Sequence, residues 1–417
     1  MQIEKMGNKC CPLSRFAEVF NPSIFKRQFC KSTPRSVQYF QSSDVPNAAE
    51  QSETFVSKSQ AESLNLLVKK GDILITGFGT IGNTRLVSKF QDGVCYANNV
   101  CRVRVKPNEK TGYLYAFLSS KFGFSQLNKN ASGSVVRYIE APGIKRTLIP
   151  DFPEDFQQKI DDMIQESLRL REHASEAKNE AIHIVENLFP RIENNSNGKT
   201  NIKEIILSSN KRYEANFYIS KGRLYDNFIK KSFEWKPLSE LATVSRPGLF
   251  KRCYVENGLM FLGGADIFLA IPQSKKYVSR TKTADIPTLT IKEGMILMPR
   301  SGTIGNVAFA TSQHAQKLAS EDVIRIYSNN TITTAYIYAF LSSTIGKNLI
   351  QRYTFGSVIQ HVEPHLLNEI PIPILENSLM EEIGNLSLKN KNCLGKAGEL
   401  ELSAIKMVEQ EIEKWNN

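Results

Sequence analysis

Short apolar runs bounded by glycine, proline and polar residues fill two long stretches of this chain, and each stretch gives way to a long helical pattern. Asp72-Ile-Leu-Ile75 and Met295-Ile-Leu-Met298 have strand length. Gly-Thr-Ile-Gly-Asn follows each and predicts a tight hairpin or bulge, with return strands over 84–87 and 307–310. In Asn99-Val-Cys-Arg-Val-Arg-Val105 and Asp322-Val-Ile-Arg-Ile-Tyr327, apolar and basic residues alternate. Alternation puts Arg102 and Arg104 on one strand face and Val103 and Val105 on the other, so one face is expected to be exposed and basic. Tyr39-Phe-Gln-Ser-Ser-Asp44 and Met260-Phe-Leu-Gly-Gly-Ala-Asp266 read as strands entering a turn whose aspartate bonds back to the backbone. Residues 112–120 and their counterpart predict a short aromatic-rich helix ending at Gly123 and Gly346.

From Glu154 the period changes. Ile160, Met163, Ser167, Leu170, Ala174, Ala177, Ala181, Ile184 and Leu188 recur in steps of three and four, the seam of a long coiled-coil helix. Ile383, Leu386, Asn390, Cys393, Ala397, Leu400, Ala404, Met407 and Glu411 carry the same seam later. The small residues let two helix axes approach closely. A helix of about 34 residues is about 50 Å long and overhangs a domain of this size, which favours helix pairing over packing on its own domain alone.

The two stretches are copies of one unit. Gly71-Asp-Ile-Leu-Ile-Thr-Gly-Phe-Gly-Thr-Ile-Gly-Asn83 returns from Gly294 to Asn306, an offset of 294 − 71 = 223. At the same offset Tyr113-Leu-Tyr-Ala-Phe-Leu-Ser-Ser120 returns as Tyr336-Ile-Tyr-Ala-Phe-Leu-Ser-Ser343, Gly133-Ser-Val135 as Gly356-Ser-Val358, and Ile149-Pro150 as Ile372-Pro373. Pro12-Leu-Ser, running on to Phe25-Lys26-Arg27, returns as Pro237-Leu-Ser, running on to Phe250-Lys251-Arg252. Polar insertions over 45–69 and 267–291 barely resemble each other. The expected division is a polar leader, 1–11; a first domain, 12–152; a first long helix, 153–190; a linker, 191–208; a second domain with an N-terminal helix, 209–374; and a second long helix, 375–417. The segment Arg212-Tyr-Glu-Ala-Asn-Phe-Tyr218 has no counterpart in the first unit, which suggests a short-start, recombined or truncated form.

Charge narrows the class of partner. A formal net charge of +11 over 417 residues favours an acidic partner, nucleic acid or a membrane surface. No apolar run approaches the roughly 20 residues of a bilayer span, so no membrane partner and a cytoplasmic location are expected. Seven scattered cysteines without a C-x-x-C pair support neither a zinc knuckle nor a disulfide framework.

Chemical motifs are sparse. Gly77-Phe-Gly-Thr-Ile-Gly82 matches a dinucleotide-loop pattern, but strand rather than helix is expected after it, and Arg300 replaces Gly77 in the second copy. Turn geometry is the better account. His361-Val-Glu-Pro-His365 answers to Tyr138-Ile-Glu-Ala-Pro142, which keeps Glu140 but neither histidine, so no metal is expected. Glu140 and Glu363 are expected to fix the adjoining loop through backbone N–H groups. Phosphate-binding, nucleophile-elbow and base-flipping methyltransferase motifs are missing, so neither catalytic residues nor a cofactor are expected.

Basic residues remain the strongest signal. Lys26, Arg27, Arg85, Arg102, Arg104 and Arg137, with Lys145 and Arg146, accumulate in the first unit. Lys251, Arg252, Lys275, Lys276, Arg300, Arg325 and Arg352, with Arg280, do so in the second. Any one of them is as readily a solvated surface charge; collectively they are candidate DNA contacts. Base-reading residues are expected where the two units differ.

The Gly-Asp-Ile-Leu-Ile and Gly-Thr-Ile-Gly pair, the Tyr-Ala-Phe-Leu-Ser-Ser helix, Gly356-Ser-Val-Ile-Gln-His-Val-Glu-Pro-His365 running to Ile372-Pro373, and the following long helix resemble the specificity subunit of type I restriction-modification enzymes, twice over nearly the whole chain. The resemblance implies an α+β fold: two mixed α/β target-recognition domains alternating with two long antiparallel coiled-coil helices in a tandem pseudo-two-fold repeat. It implies a non-catalytic subunit that recognises a bipartite, asymmetric site in double-stranded DNA. Its partners would be two adenine methyltransferase (modification) subunits and restriction/translocase motor subunits. Ile160, Met163, Leu170, Ala174, Ala177, Ala181 and Ile184 would then pair with Ile383, Leu386, Ala397, Leu400, Ala404 and Met407. The alternatives are a self-standing DNA-binding regulator or anti-restriction decoy, and a purely structural repeat adaptor.

Overall fold

The computed structural model describes residues 9–47, 50–135, 137–192, 199–207, 212–356 and 358–415. The chain divides into two compact units, residues 1–172 with 396–417, and residues 173–395. In the first, an antiparallel sheet runs in the order Ala17–Phe20, Val100–Val105, Ile73–Thr76, Thr84–Leu86. A smaller sheet, Phe29–Cys30, Phe55–Ser57, Ser36–Phe40 and Cys95–Tyr96, closes with a parallel pair. Phe40, Leu74, Tyr96 and Val100 share one buried cluster, so the small sheet covers a face of the larger one. The other face carries Ile73, Ile75 and Val103 against helix Thr111–Ser119.

The second unit repeats this order. Its larger sheet is Thr243–Ser245, Val323–Tyr327, Ile296–Pro299, Ala308–Phe309; its smaller one is Tyr254–Val255, Tyr277–Val278, Leu259–Leu262, Leu318–Ala319. The expected hairpins are present, and Gly82 and Gly305 turn them at φ +87° and +99°. Asp44 and Asp266 bond back to the backbone N–H groups of Gln41 and Gly263, at 2.7 and 2.8 Å.

Several expectations change. The aromatic helices end at Ser119 and Ser342, and Ser120 and Ser343 cap further helices, Lys121–Lys129 and Thr344–Arg352. Gly123 and Gly346 lie inside those second helices because a Cβ there would sit 2.2 Å from the carbonyl oxygens of Phe117 and Phe340. Cys10 and Cys11, read as leader, form a strand with Leu148–Pro150; residues 1–8 lie outside the described residues. The linker contains helix Ile202–Leu207, and its residues 193–198 and 208 are also outside them. Arg212-Tyr-Glu-Ala-Asn-Phe-Tyr218 leads through helices Ala215–Ile219 and Lys221–Ser232, and the latter packs on Thr344–Arg352. Gly222 permits the approach, since a Cβ there would meet the Asn348 carbonyl oxygen at 2.3 Å.

The long helices span Glu154–Asn187 and Asn377–Lys414. In the first unit Ile160, Ile164 and Leu168 share a core with Ala404, Val408 and Ile412. In the second, Ala181, Val185 and Phe189 share one with Ile383. Each helix therefore begins in the unit of the domain before it and ends in the other.

Candidate nucleic-acid interface

Strand alternation puts Arg102 and Arg104 on one face, with Arg325 at the position matching Arg102, but the small sheet of each unit covers that face at Arg102 and Arg325. Arg102 is 0% exposed and Arg325 2%. The Arg102 guanidinium donates to the carbonyls of Leu66, Tyr96, Ala97 and Val100. Arg325 donates to Leu289, Ala319, Ser320 and Val323, the same four positions 223 residues later. Burial lowers both arginines to about 10, still charged at neutral pH. The expected exposed basic face is thus a pair of internal brackets, and neither arginine reaches a surface.

Other candidates are also internal or tied. Arg85 is buried, 2.9 Å from Glu401, which Arg171 meets at 2.7 Å and Tyr115 supports with its hydroxyl. Burial alone would raise the Glu401 carboxyl; Arg85 and Arg171 outweigh it and hold it down to about 2. Arg352 is buried against Asp226 at 2.9 Å and over the Phe217 ring. Arg104 pairs with Asp72, Arg252 with Glu321, and Arg300 with both Asp322 and Glu363. Arg246 joins Glu363, so that carboxylate fixes its loop through two arginines rather than through backbone N–H groups. Glu140 is exposed, and its backbone carbonyl, not its side chain, accepts from Gly143 and Ile144.

Lys26, Arg27, Arg137, Lys145 and Arg146 are exposed in one unit, and Lys251, Lys275, Lys276 and Arg280 in the other. Lys26 and Arg27 lie on the loop joining the two sheets, between Ala17–Phe20 and Phe29–Cys30. Lys251 occupies the equivalent loop, before Tyr254–Val255; Lys275 and Lys276 precede its partner strand Tyr277–Val278. Arg137 stands on a finger formed where Ser132 bridges Tyr138, beside the Gly-rich turn that Phe78 joins by stacking on Tyr138. The same finger recurs where Phe355 bridges His361, and Val135 and Val358 are exposed at the two tips. Gly77 fits the turn backbone tightly, with a Cβ position 2.6 Å from the Ile139 carbonyl, and a strand follows as expected from turn geometry.

The seam residues divide by contact. Ile160, Leu170, Ala174, Ala177, Ala181, Ile383, Ala397 and Ala404 are buried. Met163, Ile184, Leu386, Leu400 and Met407 are half-buried, and Ile164, Val185, Ser387 and Val408 lie deeper beside them. The buried stripe is broader than a two-helix seam because the same helices also cover the domain cores. Within the first unit Ser167 donates to the Ala397 carbonyl at 2.8 Å; within the second, Asn390 donates to that of Ala174 at 2.9 Å. Ser167 and Asn390 are equivalent positions, as are Ala174 and Ala397. Among the described residues no cluster suits a metal ion, and no helix is long and apolar enough to cross a membrane.

A family described as type I restriction modification DNA specificity domain matches residues 9–182 and again 230–377. A type I restriction-modification S subunit from M. genitalium is 14% identical, with 97% of this chain and 96% of that one covered at a TM-score of 0.37. The HsdS subunit from Thermoanaerobacter tengcongensis is also 14% identical, with 95% of each chain covered and a TM-score of 0.29. No curated protein matches the chain.

Proposed function

The chain belongs to the type I restriction-modification DNA specificity family, and from that premise we propose that it is the non-catalytic subunit that chooses the DNA site for an adenine methyltransferase and, with a motor subunit, for a restriction nuclease. The observation that carries the proposal is the duplication. Two domains with the same sheet order carry polar insertions, over 45–69 and 267–291, that barely resemble each other, which suits reading two different half-sites.

In this reading the two long helices pair antiparallel along their length as a coiled-coil spacer and set the half-site separation. A helix of about 50 Å corresponds to roughly 15 base pairs, less tilt and overlap. The equivalent Ser167 and Asn390 bonds, each made inside one unit, support a pseudo-two-fold repeat. The recognised site is then bipartite and asymmetric. Exposed Lys26, Arg27, Arg137, Lys251, Lys275 and Lys276 supply phosphate contacts.

Assembly tests the partner assignment. Co-expressed with its cognate methyltransferase, the chain should elute as a complex with two methyltransferase copies, and motor subunits should add to that complex. Specific DNA binding by the chain alone, with no stable methyltransferase complex, would favour a self-standing regulator instead.

A further inference from the structure

Residues 22–27 and 247–252 read Pro-Ser-Ile-Phe-Lys-Arg and Pro-Gly-Leu-Phe-Lys-Arg, and the same positions of each are buried and exposed. Ile24 is 88% exposed and Leu249 85%, although both are large and apolar. The phenylalanine after each turns inward: Phe25 packs edge-on to Tyr39 at 6.3 Å, and Phe250 edge-on to Phe261 at 5.9 Å. An aliphatic tip is therefore held outward by an aromatic root, with Lys26 and Arg27, or Lys251 and Arg252, directly behind it. The copies differ in one respect. Arg252 is drawn to Glu321 at 2.5 Å, whereas Asn98 stands at the matching place and Arg27 has no carboxylate partner among the described residues.

We propose that these two segments are copies of one DNA anchor: Ile24 and Leu249 press as apolar wedges into a groove, while Lys26, Arg27 and Lys251 hold the flanking phosphates. The inference rests on the specificity-subunit reading. Two domains that read different half-sites cannot discriminate with a feature they share, so the shared feature should engage what all duplexes share, groove shape and backbone. An Ile or Leu tip beside cations, with half-exposed Phe29 or Tyr254 at the start of the next strand, suits a groove wedge, which partly unstacks one step. The centre of a protein interface is depleted of charge, whereas two cations stand directly behind each tip. The exposed tips Val135 and Val358 are also repeated, but Gln360 replaces Arg137 there, so no shared cation accompanies them.

The test uses the full chain assembled with its methyltransferase subunits, on a duplex carrying the mapped site and on a random-sequence duplex. Ile24→Ser with Leu249→Ser should weaken binding to both duplexes by about tenfold and leave the salt dependence unchanged, since an apolar tip releases no counterions. Lys26→Ala with Lys251→Ala should weaken both and reduce the slope of log affinity against log salt by about 2. Loss confined to the cognate duplex would make the tips base readers and overturn the anchor. So would unchanged binding to both duplexes, loss of methyltransferase from the complex, or a lowered melting temperature in the serine variant. If the wild-type assembly itself holds neither duplex, the specificity reading fails first.

Discussion

Arg102 and Arg325 each satisfy four carbonyl oxygens with one guanidinium, and no smaller side chain can do that. Arg325→Leu should cost several kcal/mol, because a buried carbonyl that loses its donor costs about 1–3, even though the Ser320 and Ala97 carbonyls also accept the N–H groups of Val323 and Val100; Arg102→Leu should do the same in the first unit. Thermal melting checks both, and a loss below about 1 kcal/mol would mean that water replaces the bracket. Glu401 has a different signature. Its carboxyl is held at about 2, below the unfolded value, so its stabilisation is present above pH about 4.5 and is lost as pH falls toward 2. The shift corresponds to about 3 kcal/mol. Glu401→Gln should lower stability at neutral pH by an amount that shrinks in acid, as pH-dependent melting would show. Such roles were hard to read from sequence. Alternation identifies which strand face a residue occupies but not whether that face is covered, and only the second sheet decides it. Glu401, Arg85 and Arg171 have Lys178, Ala308 and Leu394 at the matching positions, so repeat comparison gave no signal of their network.

Helices and strands were more legible. The short apolar runs form the strands of the larger sheets, and the steps of three and four mark both long helices. Their ends and seams were less so, because one helix face serves two neighbours and glycine was read as a stop where it allows close packing. Ala397 is wholly buried and faces Ser167 through its carbonyl. Ala397→Leu should cost about 1–3 kcal/mol by overpacking that approach, measurable by denaturant melting; Ala174→Leu should do likewise in the second unit. Tolerance of both would mean that the helices do not pack closely there. In the second unit Arg352 and Asn348 lie under helix Lys221–Ser232, while Lys129 and Ser125 occupy the equivalent surface of the first.

At the scale of the whole molecule, the constant offset of 223 was the most legible feature, since internal repetition needs no knowledge of packing. The candidate site is legible only in part: Lys26, Arg27 and Lys251 are exposed as their charge suggests, but nothing in the sequence marks the apolar tips beside them as exposed, although they repeat in the same six residues. Exposure of an aliphatic residue depends on the aromatic root behind it, which sequence spacing does not reveal. The central claim is that this chain chooses where DNA is methylated. The most direct measurement is a genome-wide methylation map of cells co-expressing the chain with its cognate methyltransferase. The account predicts one split, asymmetric motif that disappears when the chain is omitted. A soluble, assembled complex that leaves no such motif, or one whose motif persists without the chain, would contradict it.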